Sequence, residues 1–77
     1  MIHKIKIKFR QEDFQFEISQ VFFDAQCKYK FVDQQTKDVF FLKKNDEGKW
    51  ESENLEIDKS FIKLLATEIE KRRWQDN

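Results

Sequence analysis

The stretch Lys4-Ile5-Lys6-Ile7-Lys8-Phe9-Arg10 alternates polar and apolar residues without a break. Successive side chains of a β-strand point to opposite faces, so this period of two predicts a strand with one apolar face and one basic face. The same alternation continues, segment after segment, from Ile5 to Trp50. A single helical pattern follows it. The chain is therefore predicted to form a sheet that is covered by one helix.

The composition is typical of one small folded domain. The chain has 77 residues, and nine Phe, two Trp and one Tyr can form a core although 39% of the residues are charged. Fifteen basic and fifteen acidic residues cancel, which argues against a protein that mainly binds phosphate and leaves self-association open. The apolar runs are too short for a secretory signal or a bilayer span. We predict a soluble, cytoplasmic protein without membrane contact.

The predicted fold class is α+β, with two layers and a single domain over residues 1–77. The strands are expected at about residues 4–10, 14–23, 27–32, 39–44 and 49–53, and the helix at about residues 59–74. The four or five strands form an antiparallel meander, and the C-terminal helix packs on one face of it. Asp58 is the predicted N-cap, and Phe61, Ile62, Leu65 and Ile69 form the apolar stripe of the helix.

Apolar matches between neighbouring strands predict the registers. The predicted pairs are Phe9–Phe14, Ile7–Phe16 and Ile5–Ile18 in the first hairpin, Phe22–Cys27 and Ile18–Phe31 in the second, and Phe31–Phe40 and Tyr29–Leu42 in the third. The turns are expected at Gln11-Glu12, Asp24-Ala25 and Asn45–Gly48, and Gly48 suits the positive φ of a bulged type I turn. A bulge there leaves the register of the fifth strand open by one residue, so Trp50 can join either face.

One strand parity supplies the predicted core. Its members are Ile5, Ile7, Phe9, Phe14, Phe16, Ile18, Phe22, Tyr29, Phe31, Phe40 and Leu42. The opposite parity carries a second apolar set, which consists of Val21, Phe23, Val32, Val39 and Phe41, with Ile2 predicted opposite Val21. A contiguous apolar patch of this kind is typical of an interface. Twisting of the sheet ends and the strand preference of β-branched residues are the alternative explanation.

Basic residues form a second candidate surface. The residues concerned are Lys4, Lys6, Lys8 and Arg10 on the first strand, with Lys28 and Lys30 on the third. Together with Phe23 and Phe41 they could stack and bind single-stranded nucleic acid. Lysines that protect an edge strand from aggregation are the simpler interpretation. The order of strands and helix resembles the single-stranded-DNA-binding fold of Pur-type repeats, but those repeats carry basic clusters that this balanced chain lacks.

The sequence offers little for catalysis. His3 is the only histidine and has no Cys, Asp or Glu at a ligand spacing. Cys27 is the only cysteine, and its alternation with Tyr29 and Phe31 places it on the core face, where a thiol is usually inert. The carboxylates lie at turns and edges rather than in paired, buried positions. We therefore predict that the protein is not an enzyme and that it uses no cofactor and no metal.

These observations predict a noncatalytic protein-interaction or assembly module. Its partner is expected to be a second copy, in a homodimer, or another protein, and the contact is expected on the sheet face opposite the helix. A single-stranded nucleic-acid-binding module that uses the basic strand faces is the alternative. Phosphate binding weakens steeply with salt whereas an apolar contact does not, so salt dependence distinguishes the two hypotheses.

Overall fold

The computed structural model describes residues 2–53, 56–72 and 74. It contains a five-stranded antiparallel sheet followed by one C-terminal helix, which is the predicted α+β arrangement. The elements are β1 (Ile2–Phe9), β2 (Glu12–Phe23), β3 (Gln26–Asp33), β4 (Val39–Lys44), β5 (Trp50–Ser52) and α1 (Lys59–Glu70). The strands lie side by side in chain order, so the sheet is a meander.

The register of the first hairpin differs from the predicted one by two residues. Ile7 pairs with Phe14 and Ile5 pairs with Phe16. The predicted partners are Phe16 for Ile7 and Ile18 for Ile5. The turn is at Arg10-Gln11, one residue earlier than predicted, with φ of 51° and 69°. Positive φ at both central residues is the signature of a type I′ turn. A shift of two residues keeps every side chain on its face, so the predicted apolar face is retained.

The next two hairpins have the predicted registers. Phe22 pairs with Cys27, and Phe31 pairs with Phe40. The turn between β2 and β3 lies at Asp24-Ala25, as predicted, with φ of 49° and 62°. It is therefore a second two-residue turn of the type I′ kind.

The turn between β4 and β5 has the predicted bulged form. The Asn45 carbonyl accepts from the Gly48 amide at 2.9 Å, and Gly48 has a φ of 80°. The Asn45 side chain accepts from the Glu47 and Lys49 amides, both at 2.9 Å. The open question of Trp50 is settled by this turn, because Trp50 pairs with Lys44 and packs against the core.

The core lies between the sheet and α1. Its largest fully buried side chains are Phe16, Phe31, Ile18, Leu42, Leu65 and Ile69. The ring of Phe16 lies 5.8 Å from that of Phe31 and 6.0 Å from that of Phe61 on the helix. The helix begins at the predicted N-cap, since Asp58 Oδ1 accepts from the Ser60 amide at 2.7 Å.

Helix α1 ends at Glu70, four residues before the predicted end at Trp74. The Trp74 indole turns back and donates to the carbonyl of Ile69 at 2.9 Å. Twelve residues make about 18 Å of helix, whereas the twelve residues of β2 extend over roughly 40 Å. One end of the core face is therefore left without cover. Phe22 lies on the core side there but is 44% exposed, so its prediction as a core residue is wrong.

Candidate interaction surface

The outer face, defined here as the sheet face opposite α1, carries all five residues of the predicted interface. Phe23 is 65% exposed and Val39 is 50% exposed. Val21, Val32 and Phe41 are half-buried. The sheet thus presents apolar side chains on the face that the helix does not cover.

The strand registers divide these residues into two groups. On β3 and β4, Val32 pairs directly with Val39, and Phe41 is the next outer-face residue of β4. The second group lies on β2 and contains Val21 and Phe23. Ile2, at the start of β1, adds a further exposed apolar side chain beside the second group. Ile2 pairs with Ser19, so its predicted position opposite Val21 is wrong.

Two lysines lie between the apolar groups. Lys28 pairs with Val21, and Lys30 pairs with Phe41. Both lysines are half-buried, and Lys28 Nζ donates to Glu53 Oε1 at 2.6 Å. This hydrogen bond and the charge of the ammonium lower the pKa of Glu53. Lysine stems are apolar along most of their length, so the half-buried Lys28 and Lys30 add hydrocarbon to the surface between the two groups.

The basic residues do not form one continuous stripe. Lys4, Lys6 and Lys8 are exposed on the outer face of β1, which is an edge strand. Their partners on β2 are Glu17, Gln15 and Asp13 respectively. Arg10 leaves the strand for the turn, and its Nη2 donates to Asp58 Oδ2 at 2.8 Å at the start of the helix. Two of the three lysines thus face carboxylates, and the arginine belongs to a different surface.

On the outer face of β3 to β5, basic and acidic side chains also lie next to each other. Lys43 Nζ lies 3.8 Å from Glu51 Oε1, in addition to the ion pair of Lys28 with Glu53. Lysines and carboxylates are therefore paired on both sides of the outer face. Pairing of this kind weakens the positive field that favours phosphate binding.

The histidine and the cysteine both lie on the helix side of the sheet. The His3 ring lies edge-on to Trp74, with 4.6 Å between the centroids, and its Nε2 is buried without a hydrogen-bond partner among the described residues. Cys27 is half-buried and its Sγ accepts from Gln20 at 3.2 Å, so it is more accessible than its core-face position predicts.

Within the described residues, no group of three or more His, Cys, Asp or Glu side chains is arranged to hold a metal ion. In the same part of the chain, no helix has both the length and the apolar character needed to cross a membrane. No protein-family model, curated protein or solved structure matches this chain.

Proposed function

We propose that the protein is a noncatalytic interaction module that forms a homodimer through its outer face. The exposure of Phe23 and Val39 on this face is the observation that carries the proposal. One-sided antiparallel sheets normally place polar residues at these positions. An apolar patch that is retained on the open face is typical of a protein contact site.

A second copy is the partner that the surface favours. The chain has no net charge, and its outer-face lysines are interleaved with carboxylates, so two copies meet without long-range repulsion. A twofold axis would bring the same patch from both copies together. A stable interface needs about 800 Å² from each partner, and each buried aromatic residue contributes about 150–250 Å². Phe23 and Phe41, with the three valines and the lysine stems around them, form a suitable centre for such an interface.

Nucleic-acid binding is less well supported by the same geometry. The lysine row of β1 faces Asp13 and Glu17, and Arg10 is engaged at the helix start. Single-stranded nucleic acid requires a basic groove together with accessible aromatic faces. The salt dependence of oligonucleotide binding distinguishes this alternative from the dimer.

Two neighbouring phenylalanines provide a matched test. Phe22 and Phe23 are both exposed at the same hairpin end, but they project from opposite faces of the sheet. The unmodified chain is expected to dimerise in sedimentation experiments between about 10 and 500 µM, the range in which weak interfaces are populated. Phe23→Lys should give a monomer, whereas Phe22→Lys should still dimerise. Circular dichroism should show the same helix content in both variants.

Several results would contradict the dimer. One is a monomeric unmodified protein at the highest concentration, and another is an equal loss of association in both variants. Binding of a single-stranded oligonucleotide that weakens steeply with added salt, without any dimer, would favour the alternative function.

A further inference from the structure

A cleft lies at the end of the core face that the helix does not reach. It forms because α1 ends at Glu70 while the hairpin of β2 and β3 and that of β4 and β5 continue past it. The cleft has a volume of about 600 Å³. Ligand pockets commonly measure 300–1,000 Å³, so this space is large enough for a small organic molecule.

Three aromatic side chains line the cleft. Tyr29 is central, with ring centroids 5.5 Å from Trp50 and 5.1 Å from Trp74, at interplanar angles of 58° and 66°. The buried side chain of Ile69 adds an apolar wall. Both indoles are held by hydrogen bonds, from Trp50 Nε1 to Glu70 and from Trp74 Nε1 to the Ile69 carbonyl. The rings are therefore positioned before any ligand arrives, and their faces suit a flat aromatic group.

The charged residues at the rim of the cleft indicate which substituent an aromatic ligand would carry. Lys44 lines the cleft with its Nζ 5.6 Å from the centroid of the Trp50 ring, and no carboxylate among the described residues forms an ion pair with it. Arg72 also lines the cleft, and only its Nη1 makes the described bonds to Glu68. The acidic residues of the rim are Asp46 and Glu70, and Glu70 already accepts from Trp50. Lys44 and the remaining guanidinium nitrogens of Arg72 are therefore cationic donors available at this rim, where Asp46 is the carboxylate outside the described hydrogen bonds.

We propose that this cleft binds a flat aromatic molecule that bears an anionic group, a carboxylate or a phosphate. The ring stacks against the indoles of Trp50 and Trp74, and the anion is bound by Lys44, with Arg72 beside it. This site is on the helix side of the sheet and does not depend on the proposed dimer. Its occupant can be a mononucleotide or an aryl carboxylic acid, because both offer the same ring and charge.

The two tryptophans of the chain both line the cleft, so their fluorescence is a direct probe. Adenosine 5′-monophosphate and indole-3-acetate represent the two sources, and adenosine and inorganic phosphate represent the separate halves of the ligand. We expect saturable quenching by at least one of the complete probes and binding at least roughly tenfold weaker for the halves, the factor expected when a charge-assisted contact is lost. The tighter of the two complete probes identifies the source.

Two measurements test the location of the site. Lys44→Gln should weaken the better probe roughly tenfold, whereas Lys30→Gln on the outer face should leave its affinity unchanged. Cys27 also lines the cleft, so a bound probe should slow its alkylation by neutral iodoacetamide. The proposal is overturned if neither complete probe quenches the fluorescence saturably at concentrations up to about 10 mM. A dissociation constant above that value is too weak for a specific site. It is also overturned if the monophosphate is the tighter probe and adenosine binds as tightly, or if both lysine variants behave alike.

Discussion

The two ends of β2 are closed by turns of the same kind and differ in what lies against them. Both turns have two central residues with positive φ, at Arg10-Gln11 and at Asp24-Ala25. At the first turn, Phe9 stacks on Phe61 of the helix at 4.7 Å, and Arg10 bonds to Asp58. At the second turn no such cover is present among the described residues, and Phe22 and Phe23 are exposed.

The comparison of the two ends of β2 shows which features depend on local sequence and which depend on contacts with the distant helix. A hairpin turn needs only its own backbone, so an identical turn forms with or without cover. What makes one end stable and the other end available for contacts is the short helix, which covers the first end and stops before the second. The cleft lies at the uncovered end, whereas the outer-face patch extends from that end, at Phe23, to the Val32–Val39 pair at the other end of β3 and β4.

The largest expected effect compares an aromatic residue under the helix with one beyond it. Phe16 is 2% exposed and packs against four other phenylalanines, whereas Phe22 lies on the same face at the uncovered end. Phe16→Ala should reduce the free energy of unfolding by about 3–5 kcal/mol because it leaves a cavity. Phe22→Ala should reduce it by less than about 1 kcal/mol, as surface substitutions do. Urea denaturation measures both values.

A loss of 3–5 kcal/mol could unfold a domain of this size completely. In that case the variant to use is Phe16→Leu, which keeps most of the side-chain volume. It should still reduce the free energy of unfolding more than Phe22→Ala does. Equal effects at both positions would mean that the helix protects the two ends alike.

A change of intermediate size in the free energy of unfolding is expected when the backbone strain of the two turns is relieved. Gln11 and Ala25 have φ of 69° and 62°, in the left-handed region where a side chain costs about 1–2 kcal/mol. Glycine removes that strain but is more flexible in the unfolded chain, so Gln11→Gly and Ala25→Gly should each stabilise by about 0.5–1 kcal/mol. Similar gains in thermal unfolding would confirm that the turns are equivalent. A gain at only one turn would show that its cover also shapes the backbone.

The smallest effect concerns the acid sensitivity of the covered end. The hydrogen bond from the Ser60 amide, followed by the charge of Arg10, lowers the pKa of Asp58 below its value of about 3.9 in an unfolded chain. A lowered folded pKa contributes stability that is present above the unfolded pKa and is lost as the pH falls through the folded pKa. Asp58→Asn keeps a capping side chain but cannot titrate.

Unfolding should therefore be measured for the unmodified chain and for Asp58→Asn across the acid range. The advantage of the unmodified chain should shrink as the pH falls below about 4. Glu53 and Glu68 also have lowered pKa values, from hydrogen bonds with Lys28 and with Lys71, and the comparison between the two proteins removes their contribution. A constant difference at all pH values would show that the carboxylate charge has no part in the cap.

The strand number, strand order and faces follow from the sequence because alternation is a local signal. The register of the first hairpin does not, because a shift of two residues again places apolar residues opposite apolar residues. Pairing Ile7 with Phe14 or with Phe16 satisfies the pattern equally. The observed register brings Phe9 onto Phe61 and Arg10 onto Asp58, contacts with a helix far along the chain. Distant contacts of this kind are not visible in a hairpin sequence.

The outer-face residues could also be predicted by parity alone, but the cleft could not. The spacing of three and four that marks the helix stripe ends at Ile69, since positions 72 and 73 are arginines. The end of this apolar stripe is therefore a sequence signal that α1 stops near Glu70. The backward fold of Trp74 onto Tyr29 depends on side-chain packing, which no periodicity describes. The aromatic wall of the cleft is thus a product of tertiary structure.

The meander also has a consequence for the order of folding. Every strand pairs with its neighbour in the chain, so the sheet assembles by closing short loops. The contact of Arg10 with Asp58 instead closes a loop across 48 positions. Loop closure becomes more costly as the loop lengthens, and chains rich in local contacts fold quickly. We expect the hairpins to form first and α1 to dock last, so the rate of folding should respond to substitutions in β2 and β3 and hardly at all to those in the helix.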